Sequence, residues 1–152
     1  LPTHRPDAGS LDYGCDVKTA GPFRANLEGI VKLAADRHER VMLMTFASYV
    51  PPDYSEQRFR DRALDYTTHL LPIELWGRPA CVAAALTAQN EAVRELARMH
   101  DAVLFVDQEA MIPKAGLYFN DICHLTHEGC ERFVANLIDK ALAAAYAAPR
   151  TP

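Results

Sequence analysis

Val41-Met42-Leu43-Met44-Thr45-Phe46-Ala47 is the stretch that decides the fold, because it is a short and continuous apolar run. A run of this length is typical of a strand that is covered on both faces, as in a parallel sheet. A second run of the same kind, Ala102-Val103-Leu104-Phe105-Val106, ends at Asp107. We therefore predict two buried strands, at residues 41–47 and 102–106.

Helical patterns surround both predicted strands. We predict one helix over residues 23–38, a second over 80–100 and a last helix that starts at Thr126, a good N-cap. This alternation predicts the α/β class, with a parallel sheet and helices on both of its faces. The predicted buried face of the first helix consists of Phe23, Leu27, Ile30, Val31 and Ala34. The apolar stripe of the last helix consists of Cys130, Phe133, Val134, Leu137, Ile138, Ala141 and Leu142.

Residues 48–79 form an unusually long connection between the first strand and the second helix. Within it we predict a short helix from about Ser55 to Tyr66, with Ser55 as its cap. Connections of this length inside a domain are usually functional or mobile. Four aromatic residues of the connection either line a substrate pocket or fasten it to the body of the domain. They are Tyr49, Tyr54, Tyr66 and Trp76.

The bulk properties indicate an ordinary globular domain. The 152 residues are enough for one domain with a core, and the net charge of -4 argues against a nucleic-acid partner. No run of 18 apolar residues occurs, so no membrane span is predicted.

Residues 1–22 are predicted to be an irregular lead-in. Because two strands are too few for a sheet covered on both faces, either residues 1–22 contain strand or further strands lie outside this chain. The start at Leu1 rather than Met leads us to expect a processed product or a piece of a longer protein.

The chain has four cysteines, Cys15, Cys81, Cys123 and Cys130. Their spacing fits no disulfide framework, and we expect isolated buried thiols. A Cys123–Cys130 bridge in an oxidising compartment is the alternative.

A zinc site is suggested by the cluster Cys123, His124, His127 and Cys130, but the spacing of these residues fits no common zinc pattern. Helical geometry beyond Thr126 should turn His127 and Cys130 to different sides of His124, so no metal site is expected.

The candidate catalytic residues lie in Phe119-Asn120-Asp121-Ile122-Cys123-His124-Leu125-Thr126-His127-Glu128-Gly129, between the second strand and the last helix. Ligands of parallel α/β sheets bind beyond the carboxyl ends of the strands, which is where this loop should lie. Asp121 precedes His124 by three residues and can accept a hydrogen bond from one ring nitrogen. The other nitrogen would then act as a general base toward a hydroxyl. The alternative is an ordinary loop with a helix-capping threonine.

This loop resembles the last conserved block of the SGNH, or GDSL, family of esterases and lipases. In that family an Asp-x-x-His before the C-terminal helix supplies the acid and the base of a Ser-His-Asp triad. The resemblance covers about residues 23–145. The matching features are Leu117–Phe119, Asp121 with His124, Leu125–Gly129, Gln89–Ala97, Val103–Asp107, and the helix 23–38 with the strand 41–47.

The resemblance implies a single, incomplete domain over residues 1–152, with a three-layer α/β/α, flavodoxin-like architecture. Asp121 and His124 would be catalytic, and the substrate would be a small-molecule acyl ester. No cofactor is implied. The family's Gly-Asp-Ser nucleophile block and its oxyanion-hole blocks are not found in this chain, so we expect the C-terminal portion of a hydrolase, inactive or nearly so alone. The other class of function is a non-catalytic binding module derived from a hydrolase fold.

A nucleophile within the chain is the remaining alternative. Ser10 follows Gly9 as in the family's nucleophile block, but no apolar strand precedes it to form a rigid turn. Ser48 follows the first strand, yet the two prolines at 51 and 52 prevent a helix from starting at once. Ser55 is interpreted as a cap. Cys123 is not expected to be the nucleophile. It neighbours His124 in an extended loop, and the side chains of sequence neighbours in such a loop should point away from each other. An exposed sheet edge would favour dimers, although the sequence does not determine the oligomeric state.

Overall fold

The computed structural model describes the backbone of residues 15–147 and the side chains of residues 15–143. Its sheet has two parallel strands, β1 (Val41–Met44) and β2 (Val103–Val106), in a register that sets Val41 opposite Val103. The α/β class with a parallel sheet is therefore confirmed. The α-helices of this part of the chain are α1 (Ala20–Asp36), α2 (Glu56–Arg60), α3 (Pro79–Met99), α4 (Gln108–Met111) and α5 (His127–Ala147). None of the helices within residues 15–147 combines the length and the apolar character that crossing a membrane requires.

One core joins the sheet to α1 and α3. The buried residues of this core are Val31, Leu43, Val93 and Leu96, and the partly buried residues against them include Val41, Val103 and Phe105. Because side chains alternate along a strand, these odd-numbered strand residues share one face of the sheet. Helix α5 contacts β2, and Val106 at the end of that strand is fully buried. The sheet therefore holds α3 and α5 in fixed positions near the carboxyl ends of its strands.

A second core, rich in aromatic residues, joins the long connection to the loop before α5. Its buried members are Ala47, Tyr49, Phe59, Leu64, Tyr66, Ile112 and Phe119. Tyr49 and Tyr66 meet edge to face, and Tyr54 packs against the cluster from outside. These tyrosines fasten the connection to the domain, as one of the two interpretations predicted, and Tyr49 also lines a cavity. Trp76 is 43% exposed and does not belong to this core.

Three predicted boundaries differ from the structure by three residues or more. Helix α1 begins at Ala20, inside the predicted irregular segment, while residues 1–14 lie outside the described part of the chain. Strand β1 ends at Met44 instead of residue 47. The N–H of Thr45 still donates to the carbonyl oxygen of Val106, but both backbone groups of Phe46 bond to the Asn90 side chain. Helix α2 ends at Arg60, and Arg62 has a left-handed backbone with φ of 55°. The cap is confirmed, since the Ser55 hydroxyl accepts a hydrogen bond from the backbone N–H of Arg58 at 3.2 Å.

Part of the predicted core is exposed. Ile30 of α1 is 53% exposed although its pattern placed it on the buried face, and Val134, Ile138 and Leu142 of α5 are each about half exposed. Within residues 15–147, β1 pairs with β2 alone, so its other edge has no partner strand. These apolar positions follow helical spacing without a described neighbour to cover them.

The cysteines differ from both expectations. A disulfide joins Cys15 to Cys81, which ties the segment before α1 to the first turn of α3. Cys123 and Cys130 are free thiols, so the alternative of a Cys123–Cys130 disulfide is wrong. Cys130 is exposed, and the expected set of four isolated buried thiols is wrong as well.

Candidate active site

Asp121 and His124 form a close pair in the structure. The ring nitrogen Nδ1 of His124 lies 2.8 Å from Oδ2 and 2.9 Å from Oδ1 of Asp121. A carboxylate only accepts hydrogen bonds, so Nδ1 carries the proton and donates it to Asp121. That leaves Nε2 as the acceptor nitrogen of a neutral ring. None of the residues with described side chains hydrogen-bonds Nε2, and the His124 side chain is 44% exposed.

Asp121 is fully buried and its position is fixed from several sides. Oδ1 accepts hydrogen bonds from the backbone N–H groups of Cys123 at 3.0 Å and His124 at 2.9 Å. Oδ2 accepts one from the backbone N–H of Leu71, at 3.0 Å. A buried carboxylate is tolerated only when such donors satisfy it. Because Leu71 belongs to the long connection, this connection helps to build the pair, a contact that the sequence did not reveal.

The loop that carries the pair is held by short backbone and side-chain bonds. Phe119 and Leu125 form an isolated antiparallel bridge, and the backbone N–H of Asn120 donates to the carbonyl oxygen of His124 at 2.7 Å. The Asn120 side chain donates to the carbonyl oxygen of Leu125 at 2.9 Å. The loop is therefore a closed turn that fixes the backbone of His124 from both ends.

Thr126 and Gly129 join this turn to α5. The Thr126 hydroxyl donates to the carbonyl oxygen of Leu117 at 2.6 Å and accepts from the backbone N–H of Gly129 at 3.0 Å, as predicted for an N-cap. A Cβ atom on Gly129 would lie 2.2 Å from the carbonyl oxygen of Tyr118, so only glycine fits. The start of α5 is thus pressed directly against the loop that positions His124.

Cys123 lies much closer to His124 than its place in the sequence suggested. Its Sγ is 3.7 Å from Nδ1 of His124, so the expectation that these two side chains point apart is wrong. Burial, and next the neighbouring charge of Asp121, raise the pKa of the Cys123 thiol to about 11. A thiol that stays protonated at neutral pH is a poor nucleophile, so the structure gives a different reason for leaving Cys123 out of that role.

The serines that could act as nucleophile have other partners. The Ser48 backbone N–H donates to Oε2 of Glu109 at 2.7 Å, and its hydroxyl lies 3.4 Å from the same oxygen. Ser55 caps α2. Ser10 lies outside the described residues. No hydrogen bond joins His124 to a serine hydroxyl within residues 15–143.

Ser48 instead lines a cavity of about 430 Å³, of mixed polar and apolar character, beyond the carboxyl ends of the strands. Lys114 donates to the carbonyl oxygen of Ser48 at 2.5 Å and forms a 2.8 Å ion pair with Glu109. Thr87 of α3 and Pro52 also line the cavity. The only sequence signal for Glu109 and Lys114 was their position after the second strand, which is where such folds bind ligands.

A cavity of about 410 Å³ lies beside β1 and is mostly apolar. Met44 at the end of β1 and Phe46 just beyond it line one side. Asn90 and Val93 line it from α3, and Leu125 lines it from the loop that follows His124. Phe46 is 50% exposed and Met44 is 38% exposed. The unpaired side of β1 is therefore an apolar surface that reaches the residue next to His124.

The zinc cluster considered from the sequence is not formed. His127 Nε2 lies 3.3 Å from Glu131, one turn along α5, and Cys130 is exposed on the same helix. Among the described residues, the metal-ligating atoms that converge belong instead to Asp121, Cys123 and His124.

Comparison with known proteins adds no relative, since no family model matches the chain and no curated protein or solved structure is significantly similar to it.

Proposed function

We propose that the chain is the acid–base portion of a serine ester hydrolase of the SGNH type. Asp121 orients His124, and Nε2 of His124 acts as the general base and later the general acid. The nucleophilic serine belongs to a segment outside this chain. The observation that carries the proposal is the 2.8 Å contact between the fully buried Asp121 carboxylate and Nδ1 of a half-exposed His124.

This geometry supports a catalytic role because it gives the two ring nitrogens of His124 different functions. Nδ1 is occupied by a carboxylate that fixes the ring and stabilises the cation that forms when Nε2 takes a proton. Nε2 has no partner among the described side chains, and the His124 side chain is 44% exposed.

The chemistry on an acyl ester follows from these positions. The serine hydroxyl attacks the ester carbonyl while its proton moves to Nε2 of His124, and Asp121 keeps the charged ring in place. When the tetrahedral intermediate collapses, the same proton passes to the leaving alcohol. A water molecule then repeats both steps on the acyl-serine and releases the acid. No metal or cofactor takes part.

The open side of β1 supports the proposal that further sheet completes the site. A parallel strand beside β1 would end next to the Asp121–His124 loop, because parallel strands carry their carboxyl ends to one edge. It would also cover Phe46 and Met44, which are exposed beside the apolar cavity. The three-layer α/β/α architecture is the corresponding proposal for the fold.

Labelling with a fluorophosphonate probe tests the function. In the longest form of the protein that carries this chain, we expect the label on a serine outside residues 1–152. His124→Ala should slow the labelling on the order of 10⁴- to 10⁶-fold, as loss of a triad member does. His127→Ala, in the exposed histidine of α5, is the matched control and should have no effect. A label on Ser48 or Ser55, or labelling that does not depend on His124, would contradict the proposal.

A non-catalytic binding module is the second candidate. The observation that favours it is the Ser48 hydroxyl, which lies beside Glu109 instead of a histidine. A complete absence of fluorophosphonate labelling in the longest form of the protein, with the fold intact by circular dichroism, would support this candidate and reject the hydrolase.

A further inference from the structure

Three different metal-ligating side chains converge within four residues of chain. A carboxylate oxygen of Asp121, Sγ of Cys123 and Nδ1 of His124 all lie within 4.8 Å of one another. Sγ is 3.7 Å from Nδ1, and Nδ1 is 2.8 Å from Oδ2 of Asp121. The three atoms come from separate side chains, yet the backbone bonds of Cys123 and His124 to Asp121 hold them on the same side of the loop.

We propose that this triplet is a binding site for a thiophilic divalent cation such as Zn²⁺, and that the bound cation switches off His124 as a base. The site would use one oxygen of Asp121, the thiolate of Cys123 and Nδ1 of His124. A water molecule would complete a tetrahedral set, as is usual for zinc sites with three protein ligands. The cation acts as an inhibitor and has no part in the reaction.

Two of the three separations between ligand atoms can be compared with those of tetrahedral zinc, and the third, between Sγ and the Asp121 oxygen, is within 4.8 Å. With Zn–S near 2.3 Å and Zn–N near 2.0 Å, the two ligand atoms of a tetrahedral site lie about 3.5 Å apart. The observed 3.7 Å between Sγ and Nδ1 fits this value. The 2.8 Å hydrogen bond between Nδ1 and Asp121 must widen by about 0.5 Å to admit the ion. The half-exposed ring of His124 has room for that movement, whereas Asp121 is fixed.

The donors also determine which cations are suitable. A thiolate and an imidazole favour zinc and similar transition metals, whereas Mg²⁺ and Ca²⁺ prefer sites made of oxygen ligands. The carboxylate and the thiolate together balance the charge of a divalent ion. The backbone N–H groups that hold Asp121, including that of Leu71, would become the outer shell that keeps the carboxylate oriented.

Binding at Nδ1 inverts the roles of the two ring nitrogens. In the metal-free pair, the proton of the neutral ring is on Nδ1 and Nε2 is free to accept one. When Nδ1 donates its electron pair to the cation, the ring proton is transferred through solvent to Nε2. The thiol proton of Cys123 is released, so one proton is lost for each ion bound. Nε2 is then an N–H donor and cannot take a proton from a hydroxyl.

The metal site itself depends only on the geometry of the triplet, and the inhibition by metal rests on the proposed function. Binding should therefore be measured without any activity readout. Tag-free chain is titrated with Zn²⁺ alone by calorimetry, and Co²⁺ serves as a spectroscopic probe because thiolate coordination gives it a characteristic absorption. We expect one ion per chain and a thiolate band with Co²⁺.

The two free cysteines provide a matched pair of variants. Cys123→Ser keeps the size of the side chain and should weaken Zn²⁺ binding more than about 100-fold, since loss of an outer-shell partner alone costs about 10- to 100-fold. Cys130→Ser removes the other, exposed thiol and should leave the affinity unchanged. Equal affinity for both variants and the unchanged chain would overturn the proposal, as would the absence of a saturable site.

Nitrogen-15 NMR of the His124 ring tests the tautomer directly. We expect the Nδ1–H form in the metal-free chain and the Nε2–H form after one equivalent of Zn²⁺. An unchanged tautomer in the presence of bound Zn²⁺ would overturn the switch. If Zn²⁺ binds as expected but fluorophosphonate labelling does not depend on His124, the proposed function fails and the metal site stands. If labelling depends on His124 but Zn²⁺ does not bind, the metal site alone is rejected.

Discussion

The side chain of Asn90 satisfies both backbone polar groups of Phe46. Its Oδ1 accepts from the Phe46 N–H at 2.7 Å, and its Nδ2 donates to the Phe46 carbonyl oxygen at 3.0 Å. Asn90 is 3% exposed and lies on α3. An amide that bonds in this way copies the donor and acceptor of a neighbouring strand. It therefore stops β1 from continuing as a ladder and fixes α3 against the end of the strand.

Asn90→Leu should lower the free energy of unfolding by about 1–3 kcal/mol, because it leaves the N–H and C=O of Phe46 without partners. Urea denaturation measures the change. The control is Thr87→Leu, at an exposed position of α3 where the only loss is a bond to the carbonyl oxygen of Ala83. That variant should stay within about 0.5 kcal/mol of the unchanged chain. Equal effects of the two changes would mean that Asn90 does not hold the strand.

Asp121→Asn should destabilise the chain by about 1–3 kcal/mol even though the two side chains have the same shape. Both carboxylate oxygens accept backbone N–H bonds, and the NH₂ group of asparagine would face at least one of these donors. Asp53→Asn is the control, since Asp53 is exposed and only forms a surface ion pair with Arg58. It should change the stability by less than about 1 kcal/mol. Denaturation midpoints that match for the two variants would contradict the described network.

Two helical glycines should respond in opposite directions to alanine. Gly129→Ala forces a Cβ against the Tyr118 carbonyl oxygen at 2.2 Å and should cost about 1–3 kcal/mol, as overpacking does. Gly29→Ala places its Cβ in open space on α1 and should stabilise the chain by up to about 1 kcal/mol. Thermal unfolding of both variants checks the prediction. A rise in the melting temperature for Gly129→Ala would disprove the tight contact between α5 and the site loop.

Acid sensitivity should depend on Arg94. The Arg94 guanidinium makes two 2.9 Å hydrogen bonds to Asp107. These bonds are the main cause that lowers the pKa of Asp107 below its ordinary value of 3.8, and the hydrogen bond from the Thr45 hydroxyl also lowers it. A carboxyl with a depressed folded-state pKa contributes stability above its unfolded pKa, and this stability is lost as the pH falls through the folded value. The unfolding free energy should therefore decline below about pH 5.

Arg94→Lys removes the two-bond contact, so the chain should be less stable at neutral pH and should lose less stability on acidification. Arg98→Lys, at an exposed position one turn later on α3, should leave the pH dependence as it is. Urea titrations between neutral and acid pH compare the three chains. A parallel decline for Arg94→Lys and the unchanged chain would show that this ion pair does not set the acid sensitivity.

The sequence predicted those features that depend on local pattern. The two strands, the three long helices, the Ser55 and Thr126 caps and the proximity of Asp121 to His124 all follow from spacing or from short-range chemistry. What it missed depends on residues far apart in the chain. The bond of Leu71 to Asp121 joins positions that are 50 residues apart, and that of Asn90 to Phe46 joins positions 44 residues apart.

Helical periodicity also predicted burial for apolar residues that are exposed in the structure. Ile30, Val134 and Ile138 have the spacing of core positions, but burial requires a neighbour that a pattern within one helix does not specify. The position of Cys123 was missed for a similar reason. Neighbours in an extended segment point apart, yet the tight turn that Asp121 caps brings Sγ to 3.7 Å from His124.

The Cys15–Cys81 bridge has a practical consequence for limited proteolysis. The long connection of residues 48–79 lies between the two bridged cysteines, whereas Asp121 and His124 follow Cys81 in the chain. A protease that cuts once within the connection would leave two polypeptides still joined by the bridge. The nicked protein would migrate as a single band in a non-reducing gel and separate into two fragments only after reduction.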